Sequence, residues 1–279
     1  MKSKFYSIGG IVIQFNSEKL IENSVLYKPF ITEKRDADII VNIECSPLPE
    51  ISGTLLFSSE NEDIYETDSG RVYYSYYPVF QGRKCYARHS FSGNIFRLII
   101  DYDKGLWDSM IFFALNFPRL LAQKNSVLCH CSYILYNGEA ILFSAPKQSG
   151  KSTQADLWKK LKGATVVNGD RAVLKIVNGR LTAFGTPFCG SSKISLNISA
   201  PVRAVVFLSK SSNNRNKLEL IESKKECFFE LIKNVSVNTD YENKIVDTAI
   251  KMCSCSDMYR MECLPNETAV ELLDDELWK

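Results

Sequence analysis

The sequence lacks the features that mark membrane and secreted proteins. No apolar run approaches the roughly 18 residues that a membrane-spanning helix requires. The chain begins MKSKF and continues with alternating residues, so the apolar core of a signal peptide is missing. We therefore expect a cytoplasmic protein with no membrane partner.

The sequence also has almost no excess of charge of either sign. Lys and Arg number 34 and Asp and Glu number 32, a net charge of +2, which gives a nucleic-acid partner little support. The composition, 45% hydrophobic and 24% charged, excludes a disordered chain, a collagen-like chain and a coiled-coil rod. A chain of 279 residues predicts one large domain or two modest ones.

Nine scattered cysteines are present, but none has the C-x-x-C spacing of a common zinc site or redox dithiol. Two C-x-C pairs occur, Cys129/Cys131 and Cys253/Cys255. We expect reduced and mostly buried thiols, as in a reducing compartment. Metal binding by Cys253 and Cys255 is the alternative.

The first 105 residues are predicted to be β-rich. Short apolar or aromatic stretches at 5–8, 11–15, 39–43, 71–77, 85–90 and 94–100 are separated by turn residues, which is typical of an antiparallel sheet. Residues 106–125 then change to helical spacing, with a kink or break at Pro118. This segment is expected to connect the β-rich part to the rest.

From residue 126 to 279 the pattern predicts an α/β core. Strands are expected at 127–136, 139–143, 165–167, 171–177, 180–184 and 204–208. Helices are expected at 151–162, ending at Gly163, and at 224–234, 241–252 and after Asn266. We find no internal repeat and no low-complexity segment.

The most specific motif lies between a buried strand and an amphipathic helix. It reads Ala145-Pro146-Lys147-Gln148-Ser149-Gly150-Lys151-Ser152-Thr153, which is close to the G-x-x-x-x-G-K-[ST] pattern of a phosphate-binding loop. Free N–H groups at a helix N-terminus attract anions. A lysine there neutralises the β- and γ-phosphates, and the following hydroxyl can ligate Mg²⁺. The first glycine of the pattern is replaced by Ala145.

Two further residues are candidates for chemistry beside this loop. Asp170 follows the next predicted strand, in Asn-Gly-Asp-Arg, where a metal ligand or a base would lie; an Asx turn is the alternative. His130, one of only two histidines, lies on the strand that precedes the loop, where a structural role is the alternative.

These motifs together resemble the kinase fold shared by HPr kinase/phosphorylase and ATP-dependent phosphoenolpyruvate carboxykinase. His130-Cys131-Ser132 looks like the carboxykinase's His-Cys-Ser segment, and Gly163 and Asp170 lie where HPr kinases have a glycine and an aspartate pair. The resemblance covers about residues 126–208 and 263–267. It is strongest to bacterial HPr-kinase-related proteins, through segments 144–146, 150–153, 155–158, 168–171 and 189–192.

The resemblance implies a P-loop core with an N-terminal antiparallel β-rich part. It implies an ATP- and Mg²⁺-dependent kinase that transfers the γ-phosphoryl group to a hydroxyl, such as a serine of a peptide or small protein. Lys151 would hold the phosphates and Ser152 the metal. Asp170 would bind the metal or take the acceptor proton, and His130 would be a metal ligand, for Mg²⁺ or Mn²⁺, or an acid/base group.

Several positions depart from the kinase pattern. Gln148 replaces a usual glycine, Lys147 replaces a frequent serine, and a single Asp170 stands for the aspartate pair. A non-catalytic nucleotide-binding accessory protein is therefore the alternative function. A carboxykinase is disfavoured because the chain is short and its substrate-binding arginines are not identifiable.

Contacts to phosphate or acceptor are expected from Arg171 and from a turn-rich segment, 183–193, which includes Ser191, Ser192 and Lys193. A plain surface loop is the alternative for that segment. The sequence identifies neither the acceptor nor the oligomeric state, so a homo-oligomer stays open.

Overall fold

The computed structural model describes residues 2–77, 84–146, 149–237 and 241–279. The chain divides into two compact units, Met1–Phe117 and Pro118–Lys279. Each unit has its own sheets and its own buried core.

The first unit is built on a nine-stranded sheet in the order β4-β1-β2-β5-β10-β9-β8-β7-β6, and a short parallel pair joins β3 to β11. Its elements are β1 (Lys2–Ile8), β2 (Ile11–Ser17), β3 (Ile21–Glu22), a 3-10 helix (Val25–Phe30), β4 (Ile31–Thr32), β5 (Ile39–Cys45), β6 (Thr54–Ser58), β7 (Glu62–Thr67), β8 (Gly70–Tyr76), β9 (Cys85–Ser92), β10 (Ile95–Ile100), β11 (Leu106–Trp107) and α1 (Asp108–Ala114).

This sheet is mixed, which corrects the expectation of an antiparallel sheet. The β1–β2 hairpin turns at Gly9 and Gly10, which have positive φ values of 64° and 69°, as a tight hairpin requires. The β5 strand then pairs in parallel with β2, and β10 pairs in parallel with β5. Neither parallel pair is joined by a tight turn: a long connection separates β2 from β5, and strands β6–β9 lie between β5 and β10 in the sequence.

The predicted helix over 106–125 is two short helices, α1 and α2 (Phe117–Gln123). The break lies at Asn116, whose φ of 52° is left-handed. Pro118 therefore falls in the first turn of α2, where its missing N–H has no intrahelical partner to lose.

The second unit is built from strands that form two sheets sharing β12 and β17. Its elements after α2 are β12 (Ser126–Tyr136), β13 (Glu139–Ser144), α3 (Lys151–Lys162), β14 (Thr165–Asn168), β15 (Arg171–Val177), β16 (Arg180–Phe184), a 3-10 helix (Gly190–Ser192), β17 (Ser199–Lys210), β18 (Lys217–Leu220), α4 (Lys224–Ile232), α5 (Glu242–Met252), β19 (Asp257–Cys263) and α6 (Glu267–Leu277).

One sheet has the order β14-β12-β13-β17-β19-β18, and the other runs β12-β15-β16-β17. Within the first sheet β13, β17 and β19 are parallel neighbours. The long strands β12 and β17 belong to both sheets because different halves of each strand pair with different neighbours.

Helix α3 occupies the predicted residues and is anchored to the sheet by one large aromatic side chain. Trp158 is fully buried, and its ring lies 5.3 Å from that of Tyr136 and 6.2 Å from that of Trp278. At the helix C-terminus Gly163 adopts a left-handed conformation, φ 71°, as a helix C-cap commonly does. Among the described residues no helix is long and apolar enough to span a membrane.

Candidate functional site

The candidate site begins at one edge of the sheet, where three parallel strands end. The carboxyl ends of β13, β17 and β19 are Ser144, Lys210 and Cys263, and parallel strands end at a common edge. Ligands of α/β folds bind in the crevice outside such strand ends. The predicted phosphate loop leaves β13 at this edge and enters α3 at Lys151.

Lys151 is the first residue of α3 and is only 8% exposed. Its ammonium donates to the carbonyl oxygens of Ala145 (2.7 Å) and Pro146 (3.1 Å). The preceding Gly150 has φ 99°, in the left-handed region, so a glycine is required for the chain to enter the helix at this angle. The lysine is thus held against the loop with one ammonium hydrogen left for another acceptor.

His130 and Asp170 are brought together by strand register, although 40 positions separate them in the sequence. On its C-terminal half β12 pairs with β14, and on its N-terminal half it pairs with β15. The turn between β14 and β15 therefore crosses β12 beside His130, which is the register partner of Arg171. As a result His130 Nε2 lies 3.3 Å from Asp170 Oδ1.

The carboxylate of Asp170 has a second neighbour, the cationic side chain of Arg171. Arg171 Nε lies 3.2 Å from Asp170 Oδ2, so the two carboxylate oxygens face different partners. Asp170 remains about one-third exposed, with a side-chain accessibility of 31%. The carboxylate is therefore oriented by its neighbours and still open to a ligand.

These side chains line a cleft of about 930 Å³. It is bounded by His130, Ser132, Lys151, Ser152, Ala155, Asp156, Val166, Gly169, Asp170, Arg171, Cys189, Gly190, Ser191, Ser192, Ile194, Lys233, Asn234, Val235 and Ser236. A second cleft, of about 540 Å³, lies at the strand ends and is lined by Ser149, Gly150, Lys151, Ser152, Thr153, Gln154, Lys210, Ser211, Cys263, Leu264 and Pro265. Lys151 and Ser152 line both clefts.

Burial and charge lower the basicity of the two nitrogen groups in the first cleft. The pKa of His130 is lowered from its ordinary value, first by burial and then by the charge of Lys151, while Asp170 opposes the change. Burial also lowers the pKa of Lys151, and Asp170 again acts in the opposite direction. His130 is therefore predominantly neutral at pH 7, because its ordinary pKa is already 6.5.

The structure places most of the predicted site residues around the first cleft. His130, Lys151, Ser152, Asp170, Arg171, Ser191 and Ser192 line it. Ser149, Gly150 and Thr153 line the second cleft, and Ala145 and Pro146 bind the lysine. Lys193 is exposed and lines neither cleft. Lys147 and Gln148 lie outside the described residues.

A wall of the first cleft was not predicted from the sequence. The segment of residues 233–236 pairs with β12: His130 donates its N–H to the carbonyl of Asn234 (2.7 Å), and Ser236 donates to that of Leu128 (2.8 Å). No motif marks this segment, since its position depends on backbone hydrogen bonds to β12. Backbone hydrogen bonds do not depend on side-chain identity, so the sequence gives no indication of this pairing.

The cysteines give little support to a thiolate metal site. All nine are free thiols and six are buried. Burial raises the pKa of Cys253 to about 11, which disfavours the thiolate that metals bind. Within the described ranges no group of three or more His, Cys, Asp or Glu side chains is arranged to hold a metal ion.

Among solved structures, the Hpr(Ser) kinase/phosphatase from Coxiella burnetii is similar to part of this chain. The similarity covers 54% of this chain and 92% of that chain, with 13% sequence identity and a TM-score of 0.31. No protein-family model and no curated protein match the sequence.

Proposed function

We propose that this protein is an ATP- and Mg²⁺-dependent phosphotransferase that transfers the γ-phosphoryl group to a hydroxyl. The observation that supports this most is the shared cleft, in which Lys151 at the start of α3 faces the paired His130 and Asp170. A cation beside free helix N–H groups suits phosphates, and a carboxylate facing them suits an acceptor hydroxyl.

In this proposal the nucleotide and the phosphoryl acceptor bind in different clefts. The phosphates would lie over Lys151 and Ser152, which line both clefts. The nucleoside would occupy the cleft at the ends of β17 and β19, whose lining includes Lys210, Leu264 and Pro265. The acceptor would enter the cleft of His130 and Asp170 on the other side.

In the proposed transfer the acceptor oxygen forms a bond to the γ-phosphorus. The bond from that phosphorus to the β–γ bridging oxygen breaks, ADP leaves, and the hydroxyl proton passes to Asp170. Lys151 neutralises charge on the transferring group, and the other contacts mainly position it, as is usual for phosphoryl transfer. His130 and Arg171 orient the two carboxylate oxygens of Asp170 through contacts of 3.3 and 3.2 Å.

The residues present fit a magnesium ion that is shared with the nucleotide. Mg²⁺ prefers oxygen ligands and is usually bound by one or two carboxylates together with substrate phosphates. The Ser152 hydroxyl and the Asp170 carboxylate, which line the same cleft, supply such oxygens. His130 offers a nitrogen, which suits Mn²⁺ better. When bound, the ion would neutralise charge on the β- and γ-phosphates.

The cleft volume favours an acceptor larger than water. At about 930 Å³ it lies in the upper part of the range of ligand pockets, about 300–1,000 Å³. A serine presented by a peptide or small protein would fit, with Ser191, Ser192 and Lys233 among the residues that line the cleft.

The test uses γ-³²P-labelled ATP with Mg²⁺ and pooled peptides that contain serine, threonine or tyrosine. We expect labelled peptide, with serine pools favoured, and a slow release of labelled phosphate to water. Binding of ATP without any release or transfer would reject the kinase and favour a nucleotide-binding accessory protein. An absence of ATP binding would reject both.

A further inference from the structure

Asp170 lies on a turn that is fixed from one side by a fully buried amide. Asn168 Oδ1 accepts hydrogen bonds from the N–H groups of Asp170 and Arg171, both at 2.9 Å, and the side chain is completely buried. Asn168 Nδ2 donates to the carbonyl oxygen of Thr186 at 2.8 Å. One side chain thus connects the turn of Asp170 to the segment that begins at Thr186.

Thr186 completes this connection with its own hydroxyl. Thr186 is also completely buried, and its hydroxyl donates to the carbonyl of Arg171 (3.1 Å). The same oxygen accepts a hydrogen bond from the N–H of Phe188 (3.3 Å). The hydroxyl therefore bridges the residue after Asp170 to the segment that leads to residues 189–192.

The two segments are in such close contact that glycine is needed on both. A β-carbon at Gly190 would lie 2.9 Å from Cγ of Asp170, and one at Gly169 would lie 2.6 Å from Cβ of Ser192. Contacts under about 3 Å between such atoms force a displacement. The segment of residues 189–192 therefore packs directly on the Asp170 turn.

On its opposite side the turn is fixed by β12. Cys131 donates its N–H to the carbonyl of Asp170 (3.0 Å), and Ser132 Oγ donates to the carbonyl of Gly169 (3.1 Å). These two bonds hold the turn against β12, while Asn168 and Thr186 hold it against the segment that begins at Thr186.

We propose that Asn168 and Thr186 are positioning residues that set the carboxylate of Asp170 against His130 and the acceptor. This inference rests on the proposed function, because it assigns a purpose to the placement of Asp170. A displacement of about 1 Å at a reacting group can lower a rate about 100-fold. Loss of the Thr186 hydroxyl would therefore lower turnover, while the contacts of the loop with the nucleotide would stay intact.

The experiment compares Thr186→Val, which keeps the shape and removes the hydroxyl, with Thr186→Ser, which keeps the hydroxyl. The matched control is Thr248→Val on α5, since the Thr248 hydroxyl is also buried and donates to a carbonyl, that of Lys244, at 2.7 Å. Thr248 lines neither cleft. Release of labelled phosphate from Mg-ATP is measured for each variant, together with the melting temperature.

For Thr186→Val we expect kcat to fall about 10- to 100-fold with KM for ATP within about 2-fold of wild type. Thr186→Ser should restore most of kcat. Thr248→Val should lower the melting temperature as Thr186→Val does, without losing kcat. Unchanged kcat in Thr186→Val, or an equal loss in Thr248→Val, would overturn the proposal.

Two further measurements keep the proposal testable. If Thr186→Val does not fold, Gly190→Ala is used instead. Gly190 is exposed and packs on Asp170, so its new methyl group should displace the Asp170 turn, and wild-type kcat in that variant would overturn the proposal.

If the wild type binds ATP but releases no phosphate, the proposed function fails. The positioning role is then decided by crystal structures, in which the 3.3 Å separation of His130 and Asp170 should lengthen by about 1 Å or more in Thr186→Val; an unchanged separation would refute it.

Discussion

The replacement Lys151→Met tests the phosphate loop directly, because it keeps the aliphatic stem and removes the charge. Two ammonium hydrogens already bind Ala145 and Pro146, so about one charge-assisted hydrogen bond to phosphate is lost, worth about 1.5–3 kcal/mol. That corresponds to ATP binding about 10- to 150-fold weaker.

The assay is thermal unfolding with Mg-ATP at about 100 times the wild-type Kd. Wild type should gain about 2.7 kcal/mol, which is a rise in melting temperature of about 5–11 °C. Lys151→Met should gain only about 0.3–1.4 kcal/mol, or about 1–6 °C.

The matched control is Lys159→Met, an exposed lysine of the same helix, which should keep the wild-type shift. An equal ATP-induced shift in wild type and Lys151→Met would refute the assignment of this loop to phosphates.

The remaining predictions concern stability. The folded pKa of His130 lies below 6.5, so the unfolded state binds more protons and stability should fall as pH drops below about 6.5 toward the folded pKa. Urea unfolding between pH 5 and pH 8 should show that His130→Gln removes this loss, and an identical pH dependence in the variant would contradict it. Gly163→Ala, at φ 71°, should lower stability by about 1 kcal/mol and the melting temperature by about 2–4 °C; an unchanged melting temperature would refute the C-cap argument.

Local signals in the sequence were sufficient for the elements around the loop. The period of α3 and the terminal Gly163 predict a helix at 151–162, and the structure has α3 at those residues. The predicted hairpin of β15 and β16 is confirmed at 171–177 and 180–184. It was predictable because Asn178-Gly179, between the two strands, is a strong turn signal. In each case a few neighbouring residues determine the conformation.

Elements that depend on distant partners were less predictable. Strands β18 and β19 were not predicted; Leu220 is exposed in β18, and the polar, partly exposed residues of β19 give no clear alternation. The parallel pairing of β5 with β2 and β10 likewise has no local signal, since it depends on where long connections return.

In the candidate site, too, features set by neighbouring residues were predictable and features set by distant partners were not. The motif around Lys151 can be recognised from consecutive residues. The contact of His130 with Asp170 follows from the change of partner along β12, whereas the sequence predicted only that each residue lies beside the loop. Asn168 belongs to the Asn-Gly-Asp-Arg segment, where an Asx turn was the alternative, and its Oδ1 accepts the N–H of Asp170 as in such a turn. Its contact with Thr186, which carries no motif, depends on the fold.

The most direct test of the account is phosphoryl transfer by Asp170→Asn at saturating Mg-ATP, compared with wild type and with Asp156→Asn, an exposed aspartate on α3 that lines the same cleft. Wild type and Asp156→Asn should transfer label from ATP at similar rates. Asp170→Asn should be at least about 100-fold slower while binding ATP within about 3-fold of wild type. Transfer by Asp170→Asn at the wild-type rate would contradict the account.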